Sequence, residues 1–357
     1  MSKILTWKIL SKKNQLIHIK ALWNDLNCQC NNNNLFTSFA WIENWLNIFQ
    51  KNDWQLYVIT IYYQNNLISI APFYIQNNNK YFQKSTLYII GQGEPEISEV
   101  ASEYIDILIN KDFENEVIDG LIEKINALKV DEISFRAVLF NSNLIKLVKK
   151  SYYYTPCYKH LRYIIECNNW SVEQLSKNTR SRYKRSINQL NKKKAVFCWL
   201  KSDRFFNAFS KLTDLHQKRW QKRGQLGAFY HQNFIAFHKN LLTNNQINRV
   251  RMSAILVDEQ PIIINYYLAD ETTLYFYQTG WNEEKYANFS LGLALHIWSI
   301  EHCEHLNYDL MMGNVVNSYK SKFSNSKQKM ENIVINLNII KNFCYKILNK
   351  VTKVMGI

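Results

Sequence analysis

The sequence is poor in glycine and proline, and it lacks both long apolar runs and a regular cysteine spacing. Only 9 glycines and 4 prolines occur among 357 residues, which excludes collagen-like and low-complexity chains. Apolar stretches such as 67–75 are far shorter than the ~20 residues that cross a bilayer, so no transmembrane segment is predicted. Seven cysteines without a repeated spacing indicate free thiols in a reducing compartment.

What remains is the composition of a folded protein. Apolar residues make up 47%, aromatic residues 14% and charged residues 20% of the chain. The length exceeds one comfortable hydrophobic core and predicts one large domain or two of ordinary size. Near the N-terminus, Lys3 and Lys8 bracket too few apolar residues for a secretory signal, so the expected location is the cytoplasm.

Positive charge is concentrated in one segment. The net charge is +15, yet residues 1–160 hold 16 Lys and Arg against 15 Asp and Glu, whereas residues 171–225 hold 15 against 3. The densest part runs from Arg180 to Lys194. Such a run is typical of a solvated face, and it also suits a phosphorylated cofactor, an anionic acceptor or nucleic acid.

Two short clusters of potential ligands lack the spacing of a metal site. Cys28-x-Cys30 has no second pair, and His302 and His305 share one helical face without further ligands nearby in sequence. No metal is therefore predicted. Cys303 lies beside His302, but sequence alone does not identify the partners that a nucleophilic cysteine needs.

Hydrophobic periodicity predicts two mixed α/β units, 1–160 and 161–337. Ser171 and Gln174 form a potential capping box that would open the basic helix. The predicted helices are 14–27, 38–49, 113–128, 142–150, the helix opened by Ser171 that carries the basic run 177–194, 203–222, 232–243, 290–305 and 316–323. The predicted strands are 54–63, 66–75, 86–90, 104–109, 131–137, 163–166, 249–257, 261–269, 272–279, 308–312 and 331–337.

Residues 338–357 are predicted to form a basic amphipathic helix. Such a helix packs back onto the protein, or it contacts a membrane surface and makes the protein membrane-peripheral.

The segment after strand 272–279 has the pattern of an anion site. Ser290, Leu291, Gly292, Leu293 and Ala294 open a helix with small residues at alternate positions. The amides of a first helical turn are unpaired and lie at the positive end of the helix dipole, which suits a pyrophosphate. The same pattern also occurs where a helix merely packs closely against a sheet.

Further residues between about 170 and 325 occur in a familiar order. They include Trp220, Arg223, Gly224, Gly227 and Phe229, then Ser290-Leu291-Gly292, Tyr308-Asp309-Leu310-Met311-Met312-Gly313 and Tyr319-Lys320. In this order and spacing the sequence resembles the CelD/BcsL-type acetyltransferase domain of the GNAT superfamily, a relative of the FemAB peptidyltransferases. Trp41, Trp45 and 102–106 are similar to that family's first half.

The resemblance implies an α/β fold of two GNAT-like (acyl-CoA N-acyltransferase) mixed-sheet units in tandem. It implies acetyl-CoA or another acyl-CoA as co-substrate, an amine or hydroxyl acceptor on a small molecule or glycan, and a link to polysaccharide and envelope biosynthesis. FemAB relatives use aminoacyl-tRNA, and the basic helix 177–194 keeps that donor open.

Direct transfer from a thioester needs a proton acceptor, hydrogen-bond donors toward the oxyanion and a proton for the thiolate. Asp309 and His238 are the candidate bases, with a loop-organising carboxylate and a packing histidine as the alternatives. Lys320 is a candidate for binding the developing negative charge, and Tyr319 or Tyr277 for protonating the sulfur.

Acceptor binding has its own candidates. Glu103 and Asp106 in the first unit could orient the acceptor, or they are ordinary polar residues at a strand end. Arg219 and Arg223, beside Trp220, are candidates for an anionic acceptor or a cofactor phosphate, with a solvated face as the alternative.

The sequence thus predicts a cytoplasmic acyltransferase of the GNAT type that acts by direct transfer. The alternatives are a FemAB-like aminoacyltransferase that uses charged tRNA, and a non-catalytic protein that binds nucleic acid or an anionic glycan.

Overall fold

The computed structural model describes residues 4–77, 84–152, 154–243, 246–315 and 318–338. They divide into two compact units: the first holds the described residues of 1–94, 101–158 and 330–357, and the second holds those of 95–100 and 159–329. From residue 339 onward, the predicted tail helix lies outside the described residues.

Within these ranges the chain forms both β-strands and α-helices. The strands are β1 (Thr6–Leu10), β2 (Trp54–Tyr63), β3 (Asn66–Gln76), β4 (Thr86–Ile89), β5 (Leu108–Ile109), β6 (Glu132–Leu139), β7 (His160–Glu166), β8 (Val196–Trp199), β9 (Val250–Val257), β10 (Gln260–Ala269), β11 (Thr273–Trp281), β12 (Asn307–Asn314) and β13 (Ser326–Asn336). The α-helices are α1 (Lys13–His18), α2 (Lys20–Gln29), α3 (Phe39–Phe49), α4 (Glu114–Asn126), α5 (Asn143–Tyr152), α6 (Lys177–Lys192), α7 (Phe205–Gln221), α8 (Gln232–Leu241), α9 (Glu283–Tyr286) and α10 (Leu291–Glu301).

The first unit is a mixed sheet with helices. Its strand order is β1-β2-β3-β4-β6-β13, with β5 on β3, and the pairs are antiparallel except for β4 and β6. The β2–β3 turn has Gln64 and Asn65 at positive φ, as a tight hairpin turn requires. This confirms the predicted strand pair and its turn.

The strands of the second unit follow the order β7-β12-β11-β10-β9-β8. All its pairs are antiparallel except β11 with β12, because the chain crosses over through α9 and α10 between these two strands. The predicted meander of three strands is confirmed as β9, β10 and β11.

Helix α10 is buried in the second unit. Its Leu291, Ala294 and Leu295 side chains form one apolar cluster with Leu190 of α6 and Ile255 of β9. Helix α10 is therefore apolar on several faces, which is typical of a helix enclosed between other elements.

Several predicted boundaries were wrong. The basic helix begins at Lys177, not after Ser171, because Leu175 is buried and the Ser176 hydroxyl accepts the Thr179 amide at 3.3 Å. The predicted helix 14–27 divides at Ile19 into α1 and α2. Strand 104–109 is reduced to β5, since Tyr104 has positive φ.

The later segments also differ from their predicted bounds. Helix α10 ends at Glu301 rather than 305, and the described part of 316–323 holds a short 3-10 helix over Tyr319–Lys322.

Candidate functional site

Two parallel strands of the second unit separate, and the space between them is called the cleft below. The pairing of β11 with β12 is limited to Thr273–Tyr275 of β11 and Asn307–Asp309 of β12. Beyond that point β11 continues on β10 to Trp281, and β12 continues on β7 to Asn314. Toward their ends both strands carry mostly half-buried residues, such as 277–279 in β11 and 312–313 in β12, so this part of each strand is partly accessible.

Asp309 lies where the strands begin to separate. Its carboxylate is buried, accepts the Arg162 Nε at 2.7 Å and accepts the Met311 amide at 2.6 Å. Met311 has φ of 61°, and the β12–β7 register shifts between Asp309 and Met312. Because both carboxylate oxygens are occupied, this geometry favours the loop-organising role over that of a proton acceptor.

The predicted anion site is the first turn of α10. Ser290 precedes it in the left-handed conformation, at φ 49° and ψ 42°. The Ala294 amide makes the first bond of the helix, to the Ser290 carbonyl, which leaves the amides of residues 291–293 for an external acceptor. Leu291 and Ala294 are buried anchors, whereas a Cβ at Gly292 would have no heavy atom within 4 Å.

A cation lies at this helix end. The exposed Arg182 of α6 places its guanidinium 3.5 Å from the Ser290 hydroxyl oxygen, and the Ser186 hydroxyl donates to the Phe289 carbonyl. Helix α6 therefore carries part of the basic run to the first turn of α10. Sequence reasoning missed Arg182 as an individual site residue, although it belongs to the basic run.

Tyr319 and Lys320 border β12 near the end of the cleft. The Lys320 Nζ donates to the Met312 carbonyl at 2.6 Å, and Tyr319 is 48% exposed. A side chain at Gly313 would meet the Ser318 hydroxyl and the Tyr163 ring at only 3.0 Å. Glycine thus allows the short 3-10 helix to approach β12 closely.

His296 of α10 was missed by sequence reasoning. Its Nδ1 lies 2.7 Å from the Tyr308 hydroxyl, and its ring packs on Phe276 with centroids 4.4 Å apart. Burial, and then the charge of Lys320, lower its pKa to about 3. A histidine within an apolar helix that follows the Ser-x-Gly element was the available sequence signal.

His238, the other candidate base, is fully enclosed by aromatic side chains. Its Nδ1 lies 3.1 Å from the Tyr266 hydroxyl, and burial lowers its pKa to about 3. The Phe234 and Tyr277 rings lie 4.5 and 4.7 Å away. The Tyr277 hydroxyl donates to the Val100 carbonyl, so this geometry favours packing roles for His238 and Tyr277.

Arg219 lines a separate basic cavity, and Arg223 is linked to it through Glu283. Both guanidinium groups pair with Glu283, at 3.7 and 2.9 Å, and Arg219 also stacks over the Trp281 ring. The cavity measures about 100 Å³ and is lined further by Lys211, Lys218 and Lys222. Trp220 instead packs on the His216 ring, with centroids 5.8 Å apart.

Asp106 and Glu103 belong to the first unit. Asp106 accepts the amides of Asn143 and Leu144 at 2.8 and 2.9 Å and therefore caps α5. Burial raises its pKa to about 6. Glu103 is also buried.

Membrane-spanning helices and groups of metal ligands are both missing from the described residues. Among those that the structure describes, none of the helices has the length and apolarity to cross a bilayer. The same part of the chain contains no group of three side chains suited to a metal ion.

Comparison with known proteins gives a family match and several similar folds. Residues 177–321 match the model of the family described as an acetyltransferase (GNAT) domain. No curated protein matches the sequence. The solved structure of FemX is 11% identical with a TM-score of 0.57, covering 93% of this chain and 98% of its own.

Two further structures share the architecture. A conserved protein of unknown function from Bacteroides thetaiotaomicron is 11% identical with a TM-score of 0.54, covering 91% of this chain and 100% of its own. The C-terminal domain of a putative lysylphosphatidylglycerol synthetase from Agrobacterium fabrum is 8% identical with a TM-score of 0.51, covering 94% and 97%.

At these identities the likeness concerns the fold. The predicted architecture of two GNAT-like mixed-sheet units in tandem is confirmed. The segment that matches the GNAT domain lies within the second unit and contains both the cleft and α10.

Proposed function

We propose that the second unit is an acyltransferase that binds acetyl-CoA or another acyl-CoA in the cleft between β11 and β12. The observation that carries this proposal is the strand separation beside an open helix turn at Gly292, with Arg182 at the same end. Amides of a first helical turn and a guanidinium suit a diphosphate. The GNAT match over the same segment supports this donor.

The acyl group would pass directly to an amine or hydroxyl. The acceptor attacks the thioester carbonyl, the C–S bond breaks, and the thiolate takes a proton. Tyr319 is a half-exposed tyrosine near the cleft whose pKa burial raises to about 12, so it would hold a proton for the thiolate, and Lys320 supplies positive charge at β12. Asp309 acts through the backbone, because its carboxylate holds the bulge at which the strands separate.

The acceptor would be a small molecule or a glycan. The order of the Ser-x-Gly, Tyr-Asp-x-x-x-Gly and Tyr-Lys elements supports the CelD/BcsL-type subdivision. On the basis of this subdivision, we propose that the protein acts in polysaccharide or envelope biosynthesis in the cytoplasm.

A second candidate donor is aminoacyl-tRNA. Exposed Arg182, Lys184 and Arg185 follow one another closely on α6, and such a helix suits a phosphate backbone. The fold shared with FemX and the putative lysylphosphatidylglycerol synthetase agrees with this donor.

Heat protection by each donor separates the two proposals. Acetyl-CoA should raise the unfolding temperature of the full chain at both low and moderate salt. Steeply salt-dependent tRNA binding without acetyl-CoA protection would overturn the acyl-CoA proposal. If tRNA then fails to act as donor in an aminoacyl-transfer assay, the non-catalytic nucleic-acid or glycan binder is favoured.

A further inference from the structure

Two cysteines from distant parts of the sequence meet in the second unit. Cys167 lies in the turn after β7, and Cys303 lies two residues beyond α10. Both side chains are half-buried against the same apolar cluster, and each thiol is near enough to shift the pKa of the other. The Cys167 amide also donates to the Leu306 carbonyl at 2.9 Å, which fixes the two segments side by side.

A cavity of about 240 Å³ reaches Cys303. Cys303 lines the cavity, and the charged or titratable residues that line it with Cys303 are Arg251, His302, Glu304 and His305. His305 hydrogen-bonds the Cys303 sulfur. The cavity therefore joins a sulfur atom to a space that admits a small polar molecule.

The pKa of the Cys303 thiol is lowered, whereas those of Cys167, Cys198 and Cys30 are raised. Interactions with Cys167 and His305 lower the pKa of the Cys303 thiol, although burial opposes them. The pKa of Cys167 is raised by its interaction with Cys303 and by burial, and its thiol donates to the Ile165 carbonyl at 3.8 Å. Burial raises the pKa of Cys198 and brings that of Cys30 to about 11. A thiolate is the reactive form of cysteine.

We propose that Cys303 and Cys167 form a peroxide-reactive pair, in which a small hydroperoxide entering the cavity oxidises Cys303 and Cys167 then closes a disulfide. In the first step the Cys303 thiolate attacks one peroxide oxygen, and the S–O bond forms as the O–O bond breaks. The departing alkoxide or hydroxide takes up a proton and leaves as alcohol or water. In the second step Cys167 displaces hydroxide from the sulfenic acid, the S–S bond forms, and water is released. The two thiols lose two electrons, and the peroxide gains them.

The test exposes the reduced full chain to hydrogen peroxide and follows each cysteine by peptide mapping. The expected product is a peptide pair joined through Cys167 and Cys303. At neutral pH we expect Cys303 to react about tenfold faster than Cys198, a half-buried cysteine of the same unit, because more of it is thiolate. On lowering the pH toward 6, the rate at Cys198 should fall by about tenfold per unit, and the rate at Cys303 should fall less.

Variants keep the test decisive. Cys167→Ser should stop the reaction at a sulfenic acid on Cys303 that dimedone traps, since the serine hydroxyl donates to the thiolate but cannot form a disulfide. Cys303→Ser should abolish the fast phase, and Cys198→Ser should leave it unchanged. Equal rates at Cys303 and Cys198, or a disulfide that involves another cysteine, would overturn the proposal. Circular dichroism checks that each variant is folded.

Discussion

A negative charge at residue 292 tests the donor site directly. Gly292 is the second residue of α10, and a Cβ there meets no heavy atom within 4 Å. A bound diphosphate would lie roughly 6 Å, about one helical turn, from a carboxylate placed at this position. Two unit charges at that distance repel by about 3 kcal/mol at the effective dielectric of a protein surface, which is about 100-fold in affinity.

The fold should tolerate Gly292→Asp. Aspartate in a first turn interacts favourably with the helix dipole, by about 0.5 kcal/mol, and replacing glycine within a helix adds up to about 1 kcal/mol. The variant is therefore expected to unfold no earlier than the wild type in the absence of ligand. A loss of binding would then not be attributable to a loss of structure.

The assay is heat protection by acetyl-CoA. At a ligand concentration 100 times the wild-type Kd, protection is about 2.7 kcal/mol, and a 100-fold weaker variant retains about 0.4 kcal/mol. Gly292→Asn has nearly the same shape without the charge and should keep most of the protection. Equal losses in both variants would indicate crowding, and full protection in Gly292→Asp would refute an anion site at this turn.

Three further changes probe the residues around the cleft. Arg182→Ala should weaken acetyl-CoA binding by about tenfold at low salt and less at high salt, whereas Lys193→Ala at the far end of α6 should not. Asp309→Asn should lower the free energy of unfolding in urea by about 3 kcal/mol, because it removes the buried negative charge that faces the Arg162 guanidinium. Adding Arg162→Gln should recover part of that loss. If Asp309 were instead the catalytic base, transfer would fall by about 100-fold or more while stability stayed unchanged.

Local patterns predicted the features that depend on neighbouring residues. The meander, the β2–β3 turn and the helix that opens at Ser290 follow from alternation, turn residues and small residues. The start of α6 was misplaced, because burial of Leu175 outweighed a valid capping pattern. A capping box marks a position at which a helix could begin, and tertiary packing determines where the helix does begin.

The chemistry of the site depends on pairs that no local pattern contains. Arg162 and Asp309 are 147 residues apart in sequence and meet because β7 and β12 are neighbours in the sheet. The thiol pair Cys167 and Cys303 also brings together the turn after β7 and the end of α10. The sequence therefore predicted the helix turn at which we propose that the donor binds, but it did not distinguish a loop-organising role of Asp309 from a catalytic one.

Buried neutral histidines should make the second unit sensitive to acid. Burial lowers the pKa of His238 and His296 to about 3 and that of His216 to about 4. An unfolded histidine binds its proton near pH 6.5. Below that pH the unfolded chain binds more protons than the folded chain, so stability is complete above about pH 6.5 and is lost toward about pH 3, by up to about 1.4 kcal/mol per histidine and pH unit.

Replacing one histidine should reduce this slope by one proton. His238→Leu is expected to lower the pH dependence of the free energy of unfolding between pH 6 and 5 by about 1.4 kcal/mol per unit, measured by urea titration with tryptophan fluorescence. Asp106 titrates in the same range with the opposite sign, but its contribution cancels in the comparison of variant with wild type. An unchanged slope in His238→Leu would mean that this imidazole is protonated in the folded state, and the reason for assigning it to packing rather than to proton transfer would be lost.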